Sequence, residues 1–201
     1  ERRAGRDAVL ADHELVGAVE ETVTLGLVRE RRVEGVIQVD VAQPRLREVV
    51  ERELGVPERA SLHRRVGETL ERLGRRRIHL VVDALAHHFE AGEMPGKAYS
   101  YLLRSGTRFL ERSFTQEALA RFSRAVALEP EARELLPLDD ADRALCDLLL
   151  KRAEALEAGG DWALLDADLT RAGALAEELG DDRLGARVRS AAGRRARQTG
   201  D

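Results

Sequence analysis

Residues 99–132 read YSYLLRSGTRFLERSFTQEALARFSRAVALEPEA. Two small residues, Gly106 and Ala118, stand where two antiparallel helices would meet, so the helix axes can approach within roughly 8–10 Å. Phe109 and Phe122 would fill the space beside that contact. The spacing therefore predicts a tightly packed helical hairpin.

The same stretch resembles a tetratricopeptide repeat, whose pattern spans 34 residues and two helices. A capping box at 113–116 would start the second helix, and a proline near its end would stop it, because proline cannot continue a helix. The matching residues are Leu102, Gly106, Phe109, Ala118, Phe122, Ala125 and Pro130. The resemblance implies a stack of such hairpins.

A second and looser repeat begins near Cys146. Its pattern positions hold Leu149, Ala153, Leu156, Gly160, Trp162, Leu169 and Ala172, whereas Leu165 replaces the expected alanine. We predict that Gly160-Asp161-Trp162 forms the turn between its helices, and that extra residues between the two repeats lie at 133–144. A third hairpin would start after Asp182. Its second helix would lie past residue 201, so we expect further repeats to follow in the native protein.

The residues before the central stretch predict a small α+β module followed by helices. Apolar spacing predicts a helix at 12–25, and two short strands are predicted at 27–31 and 36–41 around a Glu34-Gly35 turn. A helix followed by such a two-stranded wing is typical of a winged-helix module. Four further helices are predicted: from Pro44 to about Leu54, from Pro57 to Gly74, from Ile78 to Gly92, and from Pro95 onward. The second of them carries an apolar stripe at Leu62, Val66, Leu70 and Leu73.

These predictions define the fold class. We expect a mostly α protein, with a winged-helix-like α+β module at 1–55 and a tetratricopeptide-like α-α superhelix at 56–201. The composition agrees, since the 201 residues are 35% charged and only 3% aromatic. The net charge of −4 gives no overall attraction to nucleic acid or to an anionic membrane. A single cysteine, Cys146, and no apolar run of membrane-spanning length indicate a cytoplasmic protein.

The run from 39 to 128 resembles a region of bacterial signalling ATPases of the STAND/AAA type, in which a winged helix and helical repeats follow a nucleotide-binding domain. Such regions occur in large LuxR-type regulators, some adenylate cyclases and some Ser/Thr kinases. The likeness is carried by Pro44, Arg47-Glu48-Val49-Val50, Leu62-His63-Arg64-Arg65-Val66, Leu85-Ala86-His87-His88-Phe89, Lys97-Ala98 and Tyr101-Leu102-Leu103. It implies that the repeats hold a partner or inducer and that the winged helix relays this state to an ATPase or kinase outside the chain.

Candidate chemical motifs are weak. A phosphate-binding loop needs Gly-x-x-x-x-Gly-Lys-Ser/Thr, but Gly96-Lys97 has Ala91 and Ala98 at two required positions. His79, Asp83 and His87 lie four residues apart and could hold zinc, although a solvated stripe beside buried residues is the simpler interpretation. Cys146 stands at an apolar helix position, which favours a small buried residue over a nucleophile. We expect no catalytic residue, cofactor or metal ion.

DNA contact is the second functional hypothesis. The helix at 12–25 carries Asp12, Glu14, Glu20 and Glu21 and no arginine, and acidic side chains oppose binding to phosphates. A set of C-terminal arginines is expected to coat the outer face of the last helix: Arg183, Arg187, Arg189, Arg194, Arg195 and Arg197. We therefore do not expect DNA or a membrane as a partner, and a DNA-contacting fragment of a transcriptional regulator is the alternative function.

Peptide binding is the usual function of tetratricopeptide repeats. In this chain the matching concave positions are Leu103, Thr107, Leu110, Leu150, Glu154 and Glu157. This mixed apolar and acidic surface suits an amphipathic helix or a basic segment. We predict a non-catalytic protein–protein interaction and signal-relay module of a larger bacterial regulator. Contact with a nucleotide-binding or kinase domain of the parent protein, and self-association, are both compatible with it.

Overall fold

The computed structural model describes residues 21–33, 36–135 and 138–199. Contacts between Cα atoms divide the chain into two compact units, Glu1–Val56 and Pro57–Asp201. The described residues are mostly helical and include one two-stranded sheet. The predicted fold class is confirmed at this level, as a mostly α chain with a small β element.

The first unit contains an antiparallel hairpin and a short helix. Strand β1 (Val28–Val33) pairs with β2 (Val36–Val41), with Val28 opposite Val41 and Val33 opposite Val36. Helix α1 follows at Pro44–Glu53, where proline occupies the first helical position. Residues 21–24 are helical. The rest of the helix predicted at 12–25, and the turn predicted at Glu34-Gly35, lie outside the described residues.

The second unit is built from a series of helices. They are α2 (Val56–Gly74), a 3-10 turn (Arg75–Arg77), α3 (Ile78–Ala91), α4 (Pro95–Glu111), α5 (Thr115–Arg133), α6 (Leu138–Gly159), α7 (Trp162–Glu178) and α8 (Asp182–Thr199). From α3 onward each helix packs against the next, and α4 also touches α6, as α6 touches α8. No helix of the described residues is long and apolar enough to cross a bilayer.

Two groups of buried apolar side chains hold these helices together. The first joins α3, α4 and α5 and includes Leu85, Phe89, Leu102, Phe122 and Ala125. The second joins α6, α7 and α8 and includes Leu145, Leu149, Leu156, Leu165 and Leu184. Leu119 and Val126 of α5 pack against both groups. The helical unit therefore has a continuous apolar interior along its length.

The predicted contact between α4 and α5 is confirmed. A Cβ atom added to Gly106 would lie 2.5 Å from Cε1 of Phe122, which is fully buried. Ala118 is also fully buried, and Phe109 packs against the same core. The same type of contact occurs one hairpin earlier, where a Cβ on Gly67 of α2 would lie 2.9 Å from the ring of Phe89. In both places the absence of a side chain lets a ring pack against a helix backbone.

The capping box predicted for α5 and its predicted end at Pro130 are both wrong. The residue at its N-cap is Phe114, which makes no side-chain capping bond, and Ser113 has a φ of 62°. Ser113 therefore belongs to the turn that ends α4, where its N–H donates to the carbonyl of Leu110. At the other end, α5 continues through Pro130 to Arg133. Burial of Ala132 and an ion pair from Arg133 to Glu129 stabilise this last turn.

The predicted stripe on α2 also needs correction. Leu62, Val66 and Leu73 are exposed, whereas Leu70 packs against the first core. Ala60 and Gly67 are the buried positions of this helix. Gly67 is small where the Phe89 ring packs closely against α2. The extra residues predicted at 133–144 mostly lengthen α6, which begins at Leu138. The turn predicted at Gly160-Asp161-Trp162 is confirmed, with a φ of 77° at Gly160 and Asp161 capping α7.

Candidate functional site

The six residues predicted to form a binding surface lie on α4 and α6, but they differ in exposure. Glu154 is exposed, and Leu103, Thr107, Leu110 and Glu157 are half-buried. Leu103 and Leu110 pack against the first core, and the Thr107 hydroxyl donates to the carbonyl of Leu103. Leu150 is only 8% exposed and belongs to the second core. Thr107 and Glu154 are thus the members of the set whose substitution disturbs packing least.

Leu150 and Glu154 line a groove between α6 and α8. The groove has a volume of about 190 Å³. Its wall consists of Leu150, Lys151, Glu154, Arg187, Ser190, Ala191 and Arg194. The accessible lining is more polar than apolar: three cationic side chains and one carboxylate surround the largely buried Leu150 and Ala191.

Three of the six α8 arginines pair with neighbouring helices, and this corrects part of the prediction that the set coats an outer face: Arg187, Arg194 and Arg195. The other three are exposed, as predicted: Arg183, Arg189 and Arg197. Arg187 pairs with Asp147 at 2.8 Å, and Arg194 lies 3.4 Å from Glu157. Gln198 also donates to Glu157 at 2.9 Å. The predicted acidic surface of α6 is therefore partly neutralised. The sequence pattern of α4 and α6 does not show this neutralisation, because the charges come from α8.

Lys97 forms an ion pair within the protein, so its position does not depend on a bound phosphate group. Its Nζ lies 2.6 Å from Glu71 and 4.7 Å from the centre of the Phe89 ring. The Tyr101 hydroxyl donates to the same carboxylate at 2.7 Å. Burial alone would raise the pKa of Glu71, but these hydrogen bonds and the charges of Lys97 and Arg75 lower it. This network ties α2 to α4.

The zinc triad considered from sequence does not assemble. The Asp83 carboxylate accepts hydrogen bonds from Ser105 at 2.6 Å and from Arg108 at 3.1 Å. His79 is exposed on the same helix. His87 lies instead beside two other histidines, His63 of α2 and His88 of α3.

One ring nitrogen from each of His63, His87 and His88 lies within 4.8 Å of the nitrogens from the other two. Nδ1 of His63 is 2.9 Å from Nδ1 of His88, and the ring centres are 5.1 to 5.4 Å apart. His63 and His88 are half-buried and His87 is exposed. Burial, then the proximity of His63 and His87, lowers the pKa of His88. This cluster was missed from sequence, where the adjacent pair at 87–88 was the available signal.

Cys146 is buried, as its apolar helix position predicted. It has no exposed surface, and its Sγ donates to the carbonyl of Ala172 at 3.4 Å. Burial raises the pKa of the thiol. A protonated and enclosed thiol is a poor nucleophile, so the residue serves to pack α6 against α7.

Comparisons with known proteins identify no relative. No family model, no curated protein and no solved structure matches this chain.

Proposed function

We propose that this chain is a non-catalytic protein–protein interaction and signal-relay module of a larger bacterial regulator. The observation that carries the proposal is the groove between α6 and α8, in which Leu150 and Ala191 lie beside Lys151, Glu154 and Arg194. A mixed surface of this kind suits an amphipathic helix. Arg187 and Arg194 already pair with Asp147 and Glu157. Lys151 is therefore the cation of the groove that favours an acidic residue on the bound helix.

The neighbour relations of the helices support a repeat architecture. Contacts run from each helix to the next, with further contacts from α4 to α6 and from α6 to α8. This is the one-dimensional arrangement expected when hairpins stack as tetratricopeptide-like repeats. In such a stack the first helices of successive hairpins line one surface, and here they would be α4, α6 and α8.

The remaining parts of the proposal concern the parent protein. The resemblance of residues 39–128 to the winged-helix and repeat region of STAND-type ATPases supports a relay to a nucleotide-binding or kinase domain. The hairpin β1–β2 beside α1 is compatible with a winged helix. A single buried Cys146 supports a cytoplasmic location.

The proposal is tested by capture of a partner from the organism that encodes the chain. The bait is the whole chain, with nuclease treatment in parallel and mass spectrometry of the bound proteins. Lys151→Glu reverses a charge in the groove, and Lys151 makes no ion pair among the described residues. The matched control is Arg189→Glu, because Arg189 is exposed on α8 and does not line the groove.

We expect one defined protein to survive nuclease and the Arg189→Glu change, and to be lost with Lys151→Glu. Equal retention by both variants would contradict binding in the groove. Recovery of nucleic acid alone would favour the DNA-contacting alternative and would refute the interaction module.

A further inference from the structure

Three imidazole rings converge from two helices at one place in the helical unit. His63 comes from α2, whereas His87 and His88 come from the C-terminal part of α3. Their ring centres form a nearly equilateral triangle with sides of 5.1 to 5.4 Å. Each ring therefore presents a nitrogen to the same small volume.

The backbone around the cluster fixes this arrangement. Gly92 follows α3 directly, and a Cβ atom there would lie 2.9 Å from the backbone nitrogen of Arg64. The guanidinium of Arg64 in turn donates to the carbonyl of Gly92 at 3.2 Å. Because Arg64 is the neighbour of His63 in sequence, this contact holds His63 against the end of α3.

The distances suit a small metal ion after a modest rotation of the rings. Zinc binds imidazole nitrogen at about 2.0–2.1 Å, so nitrogens around a tetrahedral ion are roughly 3.3 Å apart. In the cluster, Nδ1 of His63 and Nδ1 of His88 are 2.9 Å apart. One nitrogen from each of the three rings lies within 4.8 Å of the other two. The torsion that turns a histidine ring has a broad minimum. Binding of the ion would replace the hydrogen bond between Nδ1 of His63 and Nδ1 of His88 with two bonds to the metal.

The exposure of the cluster also suits a metal, which binds imidazole in its neutral form. His87 is exposed while the other two are half-buried. An ion can therefore enter from solvent and keep water as a further ligand.

We propose that His63, His87 and His88 bind one zinc ion, with a water molecule as the fourth ligand. Three histidines with an open position form a recognised zinc coordination set. The ion would link α2 to α3 at a point where α2 presents Leu62 and Val66 to solvent. Zinc would thus stabilise the position of α2 on the helical unit.

The test is zinc binding by the tag-free whole chain, freed of metal with a chelator and titrated calorimetrically near neutral pH. The variants are His63→Gln and His87→Gln, with His79→Gln as the matched control. His79 is exposed on α3 and lies outside the cluster. Since loss of even an outer-shell partner weakens metal binding by about 10–100-fold, loss of a direct ligand should weaken it at least roughly tenfold.

We expect one zinc per chain, weakened by either cluster variant and unchanged by His79→Gln. Zinc should also raise the unfolding temperature of the wild type and of His79→Gln, because it binds the folded state. His87→Gln should keep the metal-free unfolding temperature of the wild type and lose this increase, which separates ligand loss from misfolding. Cobalt(II) should give the visible spectrum of a four-coordinate ion.

Two results would overturn the proposal. One is the absence of saturable binding at up to about 100 µM zinc, which would mean a binding free energy less favourable than about −5 to −6 kcal/mol. The other is equal weakening by His79→Gln and the cluster variants, which would mean scattered binding to surface histidines.

Discussion

Arg152 of α6 and Asp168 of α7 form a two-point ion pair inside the helical unit. Nε of Arg152 donates to one carboxylate oxygen at 2.7 Å, and Nη2 donates to the other at 2.5 Å. The two residues are 9% and 3% exposed. Because the fork of the guanidinium matches the carboxylate, the pair fixes the position of α6 along α7 as well as their distance.

Removal of one member of this ion pair should strongly destabilise the folded chain. We predict that Asp168→Ala lowers the free energy of unfolding by roughly 3–5 kcal/mol, because Arg152 is left charged and buried without its partner. Urea unfolding followed by circular dichroism measures the change. The control is the double variant Arg152→Met, Asp168→Leu, which replaces both charges with apolar groups and should keep most of the stability. A single variant as stable as the wild type would show that the charge is not enclosed.

A second prediction concerns the contact between Gly106 and Phe122. Alanine normally stabilises a helix interior relative to glycine by roughly 0.5–1 kcal/mol. At Gly106 the new Cβ would meet the buried Phe122 ring at 2.5 Å, so we predict that Gly106→Ala destabilises the chain by about 1–3 kcal/mol.

The matched control for that contact is Gly173→Ala in α7. Its Cβ would lie 3.7 Å from Val188, an ordinary contact distance, so this change should be neutral or stabilising. The unfolding temperatures of the two variants give the comparison. Equal shifts would contradict the close approach of α4 to α5.

A third prediction concerns stability at high pH. Burial, and then the hydrogen bond to Glu71 and its negative charge, raises the pKa of Tyr101 to about 12. Tyrosine in an unfolded chain loses its proton near pH 10. The stabilisation from this group is therefore complete below about pH 10 and is lost as the pH rises toward 12.

The Tyr101→Phe variant isolates that contribution, because the other groups that titrate are unchanged. Between about pH 9 and pH 12 the wild type should lose roughly 2 kcal/mol more stability than the variant, following the linkage between pKa and folding. Urea unfolding at several pH values gives both curves. Parallel curves would show that the Tyr101 hydroxyl is not held by Glu71.

Local patterns predicted much of the fold. Prolines at 44 and 95 begin α1 and α4, and the glycine at 92 follows the end of α3. The small residues Gly106 and Ala118 marked the contact of α4 with α5, because a close helix approach requires them at fixed spacing. These features depend on neighbours in sequence or within one hairpin.

Several contacts between residues of different helices were not predicted from the sequence. His63 and His88 are 25 positions apart in sequence, and only the packing of α2 on α3 brings them together. The contacts of Arg187 and Arg194 with α6 depend on where the third hairpin sits. Ser113 fitted a capping box by residue type, yet its left-handed backbone places it in the preceding turn.

Site-specific photo-crosslinking tests whether a partner binds in the groove between α6 and α8. The photoreactive amino acid replaces Glu154 in the groove or Ala174, an exposed position on α7. With the captured partner present, we expect a crosslinked product from position 154 and none from position 174. Crosslinking from position 174 alone, or equally from both, would contradict the assignment of the binding surface.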